Sequence, residues 1–238
     1  MAAIELSELG VTFRPGQPGA VRALRAVTLS IQAGEFVSVV GRSGSGKTTL
    51  LHCLGLLLRP TAGKLVIDGV DTASQTDGQR AELRGRRIGF VLQDRNLLPG
   101  LTALENVLLP LRYGWPRRGA RTRARELLAQ VGMADHADDR PGQLTPGQAQ
   151  RVAIARALIK SPSLVLADEP TGEVDDETAD DLLQLMQQVN RTSDVSFVVA
   201  THDPEVGSCM DRMVRLTEGT VASDDRLRTE RIRLSSIR

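Results

Sequence analysis

Residues 41–48 read Gly-Arg-Ser-Gly-Ser-Gly-Lys-Thr, a full G-x-x-x-x-G-K-[ST] pattern. An apolar, strand-like run, Glu35-Phe-Val-Ser-Val-Val40, precedes it, and a helix-like run, Thr48-Thr-Leu-Leu-His-Cys-Leu54, follows. Strand, glycine-rich turn and helix in that order are the context in which such a pattern holds phosphate. Glycines let the backbone curl around an anion, and the N–H groups of the loop and first helical turn point at its oxygens. Gly41, Ser43, Gly44, Ser45, Gly46, Lys47, Thr48 and Thr49 are therefore candidate nucleotide-binding residues. Lys47 reaches toward β- and γ-phosphates, and the Thr48 hydroxyl is a candidate ligand of Mg²⁺. The competing reading is a chance Gly-Ser turn. Lysine occurs only at positions 47, 64 and 160, with arginine supplying the rest of the 30 positive charges, so a lysine where the loop demands one argues against chance.

The rest of the chain reads as an α/β fold built around that loop. Val21–Ile31 has the character of a strand in a small antiparallel sheet, joined to an earlier strand by the turn-rich Pro15-Gly-Gln-Pro-Gly19. Lys64–Gly69 is a strand ending in a turn, and Ile88–Gln93 is another strand. Residues 102–160 carry almost no strand signal. Thr102–Arg112, Arg121–Val131 and Gly147–Lys160 have helix-spaced apolar residues instead. Strand signals return at Ser163–Asp168 and Val195–Ala200, both nearly continuous apolar runs, as expected of parallel strands covered on both faces. Between them, Leu182, Leu183, Leu185, Met186 and Val189 mark one face of a helix beginning near Asp176. The plan is a P-loop NTPase core with a small antiparallel β subdomain and an inserted α-helical subdomain. We expect a single domain over 1–238: core 1–92 and 161–222, helical insert 93–160, and a basic tail 223–238.

Bulk properties narrow the function. A length of 238 residues, 41% hydrophobic content and 25% charged content suit a globular protein with a proper core. A net charge of +1 gives no global field toward nucleic acid. Arginines at 112, 117, 118, 121, 123 and 125 cluster in the insert, with only Tyr113 and Trp115 as aromatics among them, which reads as a solvated helix face. Cys53 and Cys209 form no metal pattern and read as buried apolar residues of a reducing compartment. The N-terminus has no secretory character, and no run of 18 apolar residues exists. The expectation is a cytoplasmic chain; any membrane-spanning helices must come from another one.

Two carboxylates decide the chemistry. The strand Ser163-Leu-Val-Leu-Ala ends in Asp168-Glu169. By itself such a tip could be only a turn with a helix cap. Downstream of a phosphate loop, Asp168 reads as a Mg²⁺ ligand and Glu169 as the group that orients and polarises the attacking water.

Leu144-Thr-Pro-Gly-Gln-Ala-Gln-Arg151 follows the helical insert. It resembles the signature of ATP-binding cassette (ABC) ATPases, Leu-Ser-Gly-Gly-Gln-x-x-Arg, and other landmarks fall in order. Phe13 is similar to the aromatic that stacks on adenine. Gln93 sits where the family has its Q-loop glutamine, near the Mg²⁺ and the attacking water. Gly172-Glu-Val-Asp175 is similar to the D-loop, and His202 to the switch histidine. The resemblance implies catalytic roles for Glu169, His202 and Gln93, metal roles for Thr48, Gln93 and Asp168, and nucleotide contacts from Phe13, Thr145, Gly147, Gln148 and Asp175. The cofactors implied are ATP and Mg²⁺.

The family mechanism implied is a head-to-tail pair of cassettes, most simply a homodimer. Each signature faces the γ-phosphate held by the other subunit's phosphate loop, and hydrolysis loosens the pair. Residues 96–110, 167–172 and 201–204 are similar to one branch: the ATPases of lipoprotein release, macrolide-type export and the cell-division complex. A transmembrane permease with an extracytoplasmic domain is then the implied partner, with the chain peripheral on the inner face of the membrane and no nucleic acid involved. A mechanical switch that moves no solute is the alternative within that branch. Two departures stand out: Asp94-Arg95 replaces an aromatic pair after Gln93, and Thr145-Pro146 replaces Ser-Gly in the signature, where the proline removes one backbone N–H.

Overall fold

Alternate residues of the central strands enter different cores, which is why those strands are apolar throughout. The computed structural model describes residues 2–112 and 118–227. Strand β3 (Phe36–Val40) is buried at every position, as are β8 (Ser196–Thr201) and all of β7 (Leu164–Asp168) except its last residue. Phe36, Val165, Ala167, Phe197 and Val199 pack with the helices on one side. Val37, Val39, Leu164, Leu166, Val198 and Ala200 pack on the other side with the antiparallel sheet and α1 (Lys47–Leu54). At about 25 cal/mol per Å² of apolar area removed from water, this two-sided burial is the main stabilising term.

The large sheet has the order β10-β9-β3-β8-β7-β6, where β6 is Ile88–Val91, β9 Arg212–Thr217 and β10 Thr220–Arg226. Its strands run parallel except β10, which pairs antiparallel with β9 at the edge. The small sheet is antiparallel, in the order β2-β1-β4-β5. Its strands are β1 (Ala2–Phe13), β2 (Val21–Gln32), β4 (Ala62–Ile67) and β5 (Val70–Asp71).

The insert holds α3 (Ala103–Leu108), continued by a 3₁₀ turn at Leu109–Arg112, then α4 (Ala120–Gln130) and α5 (Pro146–Leu158). On α4, Ala124, Leu127 and Leu128 are buried while Arg121, Arg123 and Arg125 are exposed, so those arginines do lie on a solvated face. Tyr113, Trp115 and Arg117 lie outside the described residues.

Three features differ from the sequence reading. Helix α2 (Asp77–Arg87) has no apolar stripe to announce it. Its one legible signal is the Thr76/Gln79 capping box, in which each side chain bonds the other's backbone N–H. Strand β10 continues to Arg226, so residues 223–226, assigned above to the tail, belong to the sheet. Arg212 holds them there, donating two bonds to Asp224 (2.7 and 2.6 Å) and one to Glu35 (2.9 Å). Residues 228–238 of that tail lie outside the described residues. Cys53 is buried as expected, but Cys209 is only half-buried. Burial pushes the Cys53 thiol up to about 12.

No helix among the described residues is long and apolar enough to cross a membrane.

Candidate functional site

Four neighbouring parallel strands end on one side of the sheet, and each delivers one element of a cavity. Strand β3 leads into the loop 41–46, β8 into His202, β7 ends at Asp168 and Glu169, and β6 leads to Gln93. The carboxyl ends of parallel strands are where such sheets bind ligands, because the helix N-termini and loops open there. The cavity measures about 500 Å³ and is lined by Phe13, Ser43, Gly44, Gly46, Lys47, Thr48, Thr49, Gln93, Asp168, Glu169 and His202. Eleven residues scattered from position 13 to 202 thus meet in one place.

The loop is shaped for phosphate by its backbone. Gly46 caps α1 with φ 106°, a conformation that L side chains rarely adopt. A Cβ there would come within 2.6 Å of the Ala23 carbonyl oxygen, so only glycine fits. Behind it, the N–H of Gly219 donates to the Ser45 carbonyl (2.9 Å) and the N–H of Arg25 to the Gly219 carbonyl (2.8 Å). The β9–β10 turn and β2 therefore buttress the loop from outside. Lys47 is buried, and its Nζ donates to the carbonyls of Gly41 (2.6 Å) and Arg42 (3.2 Å), which aims the ammonium along the loop. The cradle, the lysine and the start of α1 fit a polyphosphate.

Asp168 and Thr48 meet although β8 separates their strands. Burial raises the Asp168 carboxyl above its ordinary range; a hydrogen bond from Thr48 opposes this, while the Glu169 charge adds to it. A hydroxyl and a half-buried carboxylate side by side are oxygen donors of the kind Mg²⁺ takes. Next to them, Nδ1 of His202 lies 2.9 Å from Oε1 of Glu169.

Gly41 and Ser45 sit behind the loop, lining an adjoining cavity with Arg42, Arg215 and Glu218. The signature residues and Asp175 do not line the main cavity. Thr145 caps α5, accepting from the Gln148 N–H (3.3 Å) while Gln148 Oε1 accepts from the Thr145 N–H (2.9 Å). Asp175 caps α6 (Asp176–Ser193) through the Thr178 N–H (2.9 Å). The two caps touch: a Cβ on Gly147 would fall 2.5 Å from Cγ2 of Thr178. Pro146 occupies the first turn of α5, where its missing N–H would have had no helical partner.

Val21, Arg22, Ala23 and Gly172 also line the cavity and escaped the sequence reading as site residues. The β1–β2 register sets Phe13 opposite Val21, and both are largely exposed (43% and 57%). An exposed Val facing an exposed Phe across a hairpin was the available signal, but its register shifts hide the pairing from the sequence.

A phosphate loop, an Asp-Glu strand tip, a glutamine and a histidine converging on one cavity define a nucleotide-hydrolysing P-loop cassette. A family model described as ABC transporter matches residues 24–172, more than half of the chain. The chain belongs to the ABC transporter family and is one of its ATP-hydrolysing cassettes. It is 47% identical over 224 residues to the macrolide export ATP-binding/permease protein MacB of Syntrophobacter fumaroxidans, covering 93% of this chain but only 31% of that protein. It is 45% identical over 223 residues to the lipoprotein-releasing system ATP-binding protein LolD of Bordetella pertussis, covering 93% of this chain and 96% of the relative. Among solved structures, the ATP-binding cassette MJ0796, a dimer in a post-hydrolysis state with ADP and phosphate, superposes with a TM-score of 0.85. That match has 40% identity and covers 94% of this chain and 99% of the other.

Proposed function

We propose that this chain, as one cassette domain, is the ATPase subunit of a membrane ABC complex that exports a substrate or extracts one, such as a lipoprotein, from the membrane. It would act through a separate transmembrane permease bearing an extracytoplasmic domain. The match spans 96% of the lipoprotein-releasing ATPase and 31% of the macrolide export protein, so the likeness to both lies in the ATP-binding cassette. On this reading the chain sits on the cytoplasmic face of the membrane and pairs with a second copy of itself.

The observation that carries the chemistry is the Glu169–His202 contact beside the phosphate loop. Lys47 and the loop N–H groups hold the β- and γ-phosphates. Thr48 and Asp168, with Gln93, would hold Mg²⁺, which supplies charge neutralisation at the phosphates. Glu169 orients the attacking water and accepts its proton, and His202 fixes the Glu169 carboxylate. Phe13, with Val21 opposite, offers an apolar face to the base. Thr145, Gly147, Gln148 and Asp175 lie outside this cavity in one subunit, which suits residues that complete the site of a second copy. The test is hydrolysis by the full chain co-expressed with a candidate transmembrane permease. Mg²⁺-dependent turnover that vanishes in Glu169→Gln, together with substrate release from vesicles, is expected. Hydrolysis with no substrate movement would favour the mechanical switch, and no hydrolysis would overturn the proposal.

A further inference from the structure

Arg95 lies two positions after Gln93, and the structure gives it a partner. Its guanidinium is ion-paired with Glu173, in the turn that joins Glu169 to α6. Arg95 is mostly buried (21% exposed), while Glu173 is exposed (43%). This contact bridges two segments that both reach the nucleotide cavity, one through Gln93 and the other through Gly172.

Each segment is also tied to a further element. Arg95 and Asn96 adopt left-handed backbone (φ 57° and 46°), an unfavourable conformation for residues with a Cβ. Arg156 of α5 holds it, donating to the carbonyls of Arg95 and Asn96, both at 2.6 Å. Since α5 begins at the Thr145 cap, the segment after Gln93 is bound to the helix that carries the signature. On the other side, the N–H of Gly172 donates to the Glu169 carbonyl (3.2 Å), and Asp175 caps α6, so Glu173 rides on a short turn fixed at both ends. The guanidinium thus spans from the insert to the core.

We propose that Arg95 and Glu173 are positioning residues. They form a charged clasp that makes the segments after Gln93 and after Glu169 move as one body, so that a shift of the helical insert reaches the Asp175 turn within the same subunit. The inference rests on the reading above, in which both segments respond to nucleotide. A phenylalanine at position 95 could pack but could not draw in a carboxylate, so the pair Arg95 and Glu173 is a charge-specific coupling.

A charge-reversal cycle tests it: Arg95→Glu, Glu173→Arg and the double reversal, each in the full chain. Readouts are kcat and KM for ATP, melting temperature, and hydrogen exchange at residues 93–97 and 171–175. Each single reversal should lower kcat by about three- to tenfold with KM unchanged, should lower the melting temperature slightly, and should speed exchange in both segments. The double reversal should restore most of the turnover and of the protection. Turnover untouched by either single, or a double reversal no better than the worse single, would overturn the clasp while leaving the ATPase reading intact. A wild type that hydrolyses no ATP overturns that reading instead. Exchange then decides the clasp alone: protection lost in both segments and regained in the double variant keeps it, and unchanged exchange ends it.

Discussion

His202 and Glu169 approach within 2.9 Å, Nδ1 to Oε1, across the tips of two adjacent strands. A carboxylate oxygen accepts, so this contact suits the imidazole tautomer that carries its proton on Nδ1. Glu169 is further fixed by its backbone, whose φ of 46° lies in the left-handed region and whose N–H donates to the Ala200 carbonyl (2.9 Å). A strained residue held from two sides at a strand tip is pre-organised, so little reorganisation is left for the moment of reaction.

Replacing Glu169 by Gln keeps the side chain's size and removes its capacity as a base. ATP turnover should fall by roughly 10²–10⁴ while Mg-ATP binding is retained. His202→Ala should cost about 10²-fold, because it removes the group that aims the carboxylate. Steady-state kinetics beside a binding titration checks both; equal turnover in Glu169→Gln and wild type would show the carboxylate to be misassigned.

Lys47→Ala removes an ammonium held 2.6 Å from the Gly41 carbonyl and poised over the loop. The charge-assisted contacts it would make to phosphate correspond to about 1.5–3 kcal/mol, or roughly 10- to 100-fold in affinity. A fluorescent-nucleotide titration should show that loss.

Asp168→Asn should separate stability from function. Burial raises the Asp168 carboxyl in the folded state, so ionisation is disfavoured there relative to the unfolded chain. The sign follows: the contribution is favourable below the unfolded value and is lost as pH rises through the raised folded one. At pH 7 the wild type carries this penalty and the Asn variant does not. Without nucleotide and Mg²⁺, the variant should melt about 2 °C higher at pH 7, with the gap closing toward pH 4. Mg²⁺-dependent hydrolysis should be lost. A lower melting temperature in calorimetry would contradict the assignment.

Asp224 shows the opposite sign. The Arg212 guanidinium holds its carboxyl below the usual range, so its stabilisation is present above the unfolded value and fades as pH falls through the depressed one. Asp224→Ala leaves the buried Arg212 with Glu35 as its remaining close carboxylate and with the Ser30 carbonyl. The cost should be about 1–3 kcal/mol at pH 7, less than for a fully buried pair because Asp224 is partly exposed. Urea melts at pH 7 and pH 3 should show the difference shrinking in acid.

Pro146→Gly exchanges a pre-set first turn for a free N–H. The helix start should lose about 0.5–1 kcal/mol through the flexibility of the unfolded chain. If the signature meets a γ-phosphate across a dimer, the added N–H should raise turnover severalfold. Turnover that is unchanged or falls would show that Pro146 costs the signature nothing.

Some of this protein was legible in its sequence because the physics is local. The loop at 41–48 and the apolar runs of β7 and β8 depend on neighbours within a few residues. Those signals carried the α/β plan and the phosphate-loop candidates, while Phe13, Gln93, Thr145, Gly147, Gln148, Asp175 and His202 rested on the resemblance to ABC ATPases. The tertiary structure decided what depends on distant partners. Strand β8 lies between β3 and β7, yet Asp168 still reaches Thr48. Val21 comes to face Phe13 only through a hairpin with register shifts. Strand β10 reaches Arg226 because Arg212, on the neighbouring strand, pairs with Asp224. Arg95, which reads in sequence as a mere departure from a pattern, gains its meaning from Glu173, 78 positions away. Local backbone preferences and hydrophobic period are written along the chain. Which side chains meet across it is fixed only when burial selects one packing of the strands and helices.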